Sequence, residues 1–332
     1  MPDSALLTAD LHVRMGLTQF VSERLARRDP ETGVATVDVT GRSTLELAEE
    51  LAANPRAVTL RDGRRLGYSE CGDPDGRALL AFPGFPNSRV SGALLDELGR
   101  ERGLRVVCPE RPGQGVSDPH PERTLADWPD DVRDLLDSLD IDRAVAVGIS
   151  AGGPYALATA ALLPDRIERV AVICGVGPVE AVPLRDRLLF YACRFTPPLG
   201  RLAMWGVRRQ VRSDRFPRTM AKRYEGVEAA VWRSDVGEVV HLSAREAVRQ
   251  GTDPLVQEGA LLGTPWPFDP SAIEVPVGLW YARDDDVVPL AAGLHLAREI
   301  PTAEAHVHTG QGHLSVYTEN VETVLSFLTD GA

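Results

Sequence analysis

The run AVAVGISAGGPYALATAALL, residues 144–163, sets Ser150 among three glycines where an apolar segment meets a helix-forming one. AVAV is short and apolar throughout, as expected of a strand covered on both faces, and PYALATAALL has the composition of a buried helix with proline in its first turn. A strand that turns at once into a helix forces the residue at the bend into a strained conformation. Side chains two positions to either side would collide there, and Gly148 and Gly152 remove them. The Ser150 hydroxyl is thereby lifted clear, beside a helix N-terminus with unpaired N–H groups. A glycine-rich turn of this kind can instead bind phosphate, but the patterns G-x-G-x-x-G and G-x-x-x-x-G-K-[ST] are both missing here. The run is also uncharged and about 20 residues long, enough to span a bilayer. Its central glycines and Pro154 favour strand plus helix over a membrane span.

Outward from this joint the same rhythm repeats. AVTL and LGYSECG read as strands joined by a turn at Asp62-Gly63. The apolar strands ALLAF (78–82), RVVCP (105–109), VAVIC (170–174), VGLWYA (277–282) and AHVH (305–308) alternate with helical stretches. Such alternation predicts a largely parallel sheet with helices on both faces, its sites along the edge formed by the strand C-termini. The stretch 178–270 breaks the rhythm with helical, Arg-, Trp- and Pro-rich sequence, and predicts a helical cap inserted over that edge. Residues 1–55 form a mostly helical N-terminal extension, with helical spacing in MGLTQFVSERLARR and STLELAEELAAN and a loop or short hairpin between them. This extension carries no catalytic signature and is expected to pack on the body or make a homodimer contact.

A formal net charge of −12 gives nothing that would draw the chain as a whole to nucleic acid or anionic lipid. The four cysteines are widely spaced without a CxxC pair, which argues against a disulfide framework or zinc site and fits a reducing cytoplasm. The N-terminus lacks the basic and apolar regions of a signal peptide.

A serine nucleophile needs a base and the base an orienting acid. His313, in TGQGHLSVY, follows AHVH at the correct sheet edge. His306 and His308 alternate along that strand, but no carboxylate or cysteine stands at ligand spacing to make them a metal site. YARDDDVVP follows another strand and offers Asp284, Asp285 and Asp286 as the acid. The order Ser, Asp, His is the one expected for a nucleophile on such a strand–turn–helix.

Taken together, Gly-Ile-Ser-Ala-Gly, DDDVVP and GQGHLSVY resemble the α/β-hydrolase superfamily, over roughly 57–177 and 271–328. The resemblance implies an α/β fold: a mostly parallel eight-stranded sheet, helices on both faces, a helical cap at 178–270, and a core of 56–177 with 271–332. It places Asp285 on the family's acid, counted back from Pro289, with Asp284 as the fallback and Ala282 where glycine is usual. It also implies a serine-type oxyanion hole, with the backbone N–H of Ala151 and Phe85 as donors. The loop PGFPNS (83–88) has Pro83 where the family commonly has histidine. Arg111 and Asp118, in ERPGQGVSDP, are expected to hold their loop rather than to do chemistry.

The implied activity is cleavage of a small-molecule ester or thioester by Ser150, Asp285 and His313, without metal or cofactor, nucleic acid or membrane span. A cofactor-independent lyase, cyclase or acyltransferase, and a non-catalytic binding module, remain open on the same fold. Phe85, Trp205, Phe216 and Trp232 are candidates for the pocket wall. The cap arginines are expected to pair with nearby acids.

Overall fold

The computed structural model describes residues 42–330 together with the strand residues 27–28 and 35–36. The chain divides into two units, Met1–Ser43 and Thr44–Ala332. In the first, Arg27–Arg28 pairs antiparallel with Ala35–Thr36, and only Ala35–Thr36 falls in the stretch read as loop or hairpin. The helix expected over 15–28 lies outside the described residues except for its last two, which are strand.

The second unit is built on one eight-stranded sheet. Its strands are β1 (Arg56–Thr59), β2 (Arg65–Gly72), β3 (Arg77–Phe82), β4 (Leu104–Pro109), β5 (Ala144–Ile149), β6 (Ile167–Ile173), β7 (Val277–Ala282) and β8 (Ala303–His308). Across the sheet they lie in the order β8-β7-β6-β5-β3-β4-β2-β1. Strands β3 to β8 are parallel, while β2 runs antiparallel to β4 and β1 antiparallel to β2. At the turn between β1 and β2, Gly63 has φ +87°, a conformation glycine takes without steric cost.

The helices are α1 (Thr44–Ala53), α2 (Asp96–Glu101), α3 (Trp128–Ser138), α4 (Gly153–Leu162), α5 (Leu184–Phe195), α6 (Pro197–Val211), α7 (Phe216–Arg223), α8 (Gly226–Trp232), α9 (Asp235–Ala247), α10 (Asp253–Leu262), α11 (Leu290–Glu299) and α12 (Ser315–Thr329). Along β5, Ala144 and Ala146 face the core shared with α3, α4 and α11, whereas Val145 and Val147 face the core shared with α12. Burial on both sides explains why the strand reads as an unbroken apolar run. No described helix is long and apolar enough to cross a membrane; residues 144–163 divide into β5, a 3₁₀ turn and α4.

Helices α5 to α10 lie between β6 and β7, and α5, α6, α9 and α10 share a small core that includes Cys193, Met204, Val211, Ala244 and Leu255. Helix α1, grouped by sequence with the N-terminal stretch, packs Leu47 and Ala48 on Val90, Ala93 and Val239. Its anchor is Arg89, whose side chain is wholly buried. One guanidinium nitrogen donates to the carbonyls of Leu51 and Ala52 at 3.1 and 3.2 Å, in the last turn of α1. The other reaches Glu110 and, at 3.1 Å, Glu246. A cation at a helix C-terminus complements the helix dipole, and it also answers the buried Glu110 carboxylate, whose pKa burial pushes up.

Arg89→Leu should therefore lower unfolding stability in urea by about 3–5 kcal/mol, because Glu110 stays buried without its cation. Arg65→Leu, which breaks the exposed pair with Asp118, should cost less than about 1 kcal/mol.

Candidate active site

Six loops leave the carboxyl ends of β3 to β8 on one edge of the sheet, and the site is assembled from four of them. Ser150 opens the 3₁₀ turn Ser150–Gly152 between β5 and α4. Its φ is +54°, which side-chain-bearing residues rarely adopt and which costs on the order of 1–3 kcal/mol. The flanking glycines are dictated by contact. A Cβ on Gly148 would stand 2.5 Å from the Gly152 carbonyl oxygen and 2.9 Å from the Ala156 methyl. One on Gly152 would overlap the Phe82 carbonyl at the end of β3. The Ser150 carbonyl accepts from Val176 N–H at 3.0 Å, pinning the bend.

His313 lies between β8 and α12, and its Nε2 is 3.1 Å from Ser150 Oγ. Its Nδ1 is 2.8 Å from Asp285 Oδ2. The other oxygen of Asp285 accepts from the N–H groups of Val287 and Val288 at 2.8 and 2.9 Å, so the carboxylate is fixed by its own turn. Of the three consecutive acids, only Asp285 is buried and reaches the imidazole. Asp284 accepts from Gly310 N–H at 2.8 Å, and Asp286 pairs with Arg223 at 2.9 Å and Tyr224 at 3.2 Å. Asp285, an acceptor, assigns the proton to Nδ1 and leaves Nε2 to accept from the serine hydroxyl. Burial alone would lower the His313 pKa. The Asp285 carboxylate bonded to Nδ1 outweighs it and holds the pKa well above the ordinary histidine value.

Cys174 follows β6 with φ +42° and donates its thiol hydrogen to the His313 carbonyl at 3.4 Å. With Asp285 and His313 it forms a group of ligand-type atoms within 4.8 Å of one another. Burial pushes its pKa up and keeps it a neutral thiol, a poor metal ligand, and His313 and Asp285 already bond each other. The carboxylate is thus the charge that raises His313. His306 stacks on Trp280, ring centroids 4.5 Å apart, away from this cluster.

The loop 83–88 passes close to the serine: a Cβ on Gly84 would be 3.1 Å from Ser150 Cβ. The Gly84 carbonyl accepts from Asn87 N–H at 3.0 Å and from Arg111. Arg111 is held in turn by Glu258 of α10 at 3.2 Å, and the same fully buried carboxylate takes Arg123 at 2.6 Å and Tyr155. Burial disfavours that charge, but Arg111 and Arg123 outweigh the penalty and lower the Glu258 pKa. The Phe85 N–H donates to no acceptor among the described residues. Ala151 N–H lies in the first turn of a helix, where no intrahelical carbonyl is in reach. Asp118 accepts from the Arg65 backbone at 2.8 Å and holds its loop on β2.

Ser150, Phe85 and Ala151 border a cavity of about 140 Å³ whose only charged lining side chain is Asp186 of α5. The other three aromatic candidates lie elsewhere. Trp205 is 51% exposed on α6, and Phe216 meets Trp232 edge-on at 5.8 Å within the helical insertion. No motif marks Glu228, which accepts from Leu314 N–H at 3.0 Å and Ser315 N–H at 2.8 Å, directly after His313. Like Glu258, Arg123 and Asp186, it is a single charged residue without a motif, and nothing in a sequence separates a buried acid from a solvated one.

Known proteins share this fold. The family model described as "Alpha/beta hydrolase family" matches residues 79–326. The chain is 26% identical to 2-hydroxy-6-oxononadienedioate/2-hydroxy-6-oxononatrienedioate hydrolase 1 of Dechloromonas aromatica (strain RCB), over 84% of this chain and 96% of that one. Among solved structures it resembles esterase RhEst1 from Rhodococcus sp. ECU1013, with TM-score 0.58 and 20% identity over 84% of this chain and 99% of the other. It likewise resembles the enol-lactonase from Burkholderia xenovorans LB400, with TM-score 0.59 and 23% identity over 83% of this chain and 100% of the other. These structural likenesses speak for the fold. With three-quarters of its length matched and its sheet order, bend and loops accounted for, the chain belongs to the alpha/beta hydrolase family.

Proposed function

We propose that this chain is a serine hydrolase that cleaves a carboxylic ester or thioester of a small molecule through an acyl-enzyme on Ser150. The observation that carries the reading is the hydrogen-bonded series from Ser150 Oγ through His313 to Asp285, at 3.1 and 2.8 Å, opening on a mostly apolar cavity. Ser150 Oγ attacks the carbonyl carbon while His313 Nε2 takes its proton, and Asp285 stabilises the imidazolium. The oxyanion meets the N–H groups of Ala151 and Phe85, worth roughly 3 kcal/mol per donor. The imidazolium then protonates the leaving alkoxide or thiolate. Water deprotonated by the same Nε2 releases the acid and restores the serine.

The cavity lining supports a neutral substrate. A dioate, of the kind for which the Dechloromonas relative is named, carries two carboxylates. It would meet Asp186 and no cation among the lining residues, whereas a neutral ester suffers neither repulsion nor an unpaired charge.

Ser150→Ala should abolish hydrolysis of p-nitrophenyl acetate and labelling by a fluorophosphonate; turnover that persists in this variant refutes the nucleophile. The base must be neutral, so kcat/KM should fall as pH drops through the His313 pKa, placing the acid limb above the ordinary histidine value near 6.5. Asp285→Asn should lower kcat by about 10⁴-fold and move any residual acid limb to lower pH, the direction expected when the charge that favours imidazolium is removed. An acid limb that stays in place would separate Asp285 from the base. Asp186→Asn should raise kcat/KM several-fold for the p-nitrophenyl hemisuccinate ester relative to the neutral butyrate. An unchanged ratio takes Asp186 out of substrate selection.

A further inference from the structure

Helices α5 and α6 carry the largest concentration of exposed apolar side chains among the described residues. Leu184, Leu188 and Phe195 of α5 are 61%, 59% and 66% exposed, and Leu199, Leu202 and Trp205 of α6 are 57%, 64% and 51% exposed. At 100° per residue the three on α5 fall within about 40° of arc. They lie opposite Cys193, which is buried in the core of the insertion, and away from Asp186 and Phe190, which face the cavity. Helix α5 is therefore apolar on two sides, and only the inner one is covered. Exposed apolar side chains concentrated in this way on two consecutive helices mark an interaction site.

The charge of the same segment indicates the partner. Residues 184–212 contain seven arginines and one acid, a net charge of +6 in a chain whose formal net charge is −12. Contrary to the pairing expected from sequence, Arg187, Arg194, Arg208, Arg209 and Arg212 make no ion pair among the described residues. Arg185 pairs with Asp186 at 3.1 Å and Arg201 with Asp253 at 2.8 Å. Arg194 and Arg209 lie over the rings of Phe195 and Trp205, at 5.0 and 5.6 Å from their centroids, so cation and apolar surface are side by side.

We infer that the outer face of α5 and α6 docks on an anionic lipid bilayer. Leucines with Trp and Phe enter the boundary between headgroups and acyl chains while the arginines meet lipid phosphates, as on an interfacial amphipathic helix. A second copy fits the face less well. Two-fold pairing of one patch would set +6 against +6, and the segment's single acid, Asp186, is already taken by Arg185. The rest of the chain is negative on balance, which favours an orientation with this face toward the membrane.

The test uses the full chain with phosphatidylcholine vesicles, with and without about 30% phosphatidylglycerol, at about 0.05 and 0.5 M salt. Co-sedimentation should be at least about tenfold stronger on the anionic vesicles at low salt and should be lost at high salt. Tryptophan emission should shift to the blue on binding, and Trp205→Phe should remove the shift. The double variants Arg209→Glu/Arg212→Glu and Phe195→Ser/Leu202→Ser should each weaken binding at least about tenfold. Absence of binding to anionic vesicles at low salt overturns the inference, as does equal binding by the variants. So does a lipid-free dimer that Phe195→Ser dissolves, which would give the face to a second copy. Should a variant not fold, the salt release and the Trp205 emission of the unaltered protein still decide.

Discussion

The backbone at Ser150 is held at positive φ by a chain that must pass from a buried strand into a buried helix without room for a loop. That constraint sets its surroundings. It excludes a side chain at Gly148 and at Gly152, where the Phe82 carbonyl occupies the space, and so ties the end of β5 to the end of β3. It also brings the loop 83–88 within van der Waals reach of the serine, with Gly84 as the residue that permits the approach. The strain at the bend is small beside the burial around it: a large aliphatic side chain buried in the sheet contributes about 1.5–3 kcal/mol, and Leu79, Leu80 and Leu104 are each fully buried.

The partners of the serine arrive on separate loops, each fixed by bonds the serine does not make. Two N–H groups of its own turn fix one oxygen of Asp285, leaving the other for His313. His313 precedes α12, whose first N–H groups are taken by Glu228 of α8. On the opposite side Arg111, bound to Glu258 of α10, holds the Gly84 carbonyl. Both carboxylates belong to the helical insertion between β6 and β7. The insertion therefore does more than wall the cavity: it bonds to the loop carrying His313 and, through Arg111, to the loop carrying the Phe85 N–H.

That insertion also departs from the rest of the molecule in charge and exposure. The sheet and its covering helices bury their apolar residues on both sides, whereas α5 turns one apolar side inward and leaves the other open. A whole-chain charge of −12 conceals a positive segment, since net charge averages over faces that a partner never meets together.

The sequence by itself determined the alternation of strands and helices, the bend at Ser150 and the order of Ser150, the acids and His313. These are legible because glycine spacing, apolar periodicity and a loop after each strand are local properties of the chain. It could rank Asp284, Asp285 and Asp286 only by counting back from Pro289, because three neighbouring acids look alike until one of them turns inward. Only the tertiary structure decided that Asp285 is the buried one, that Trp205, Phe216 and Trp232 lie away from the cavity, and that Glu228 and Glu258 reach across from the insertion. The physical reason is the same in each case. Burial and partner of a polar side chain depend on which distant segment packs over it, and residues 86 or more positions apart in the chain leave no mark on one another's local pattern.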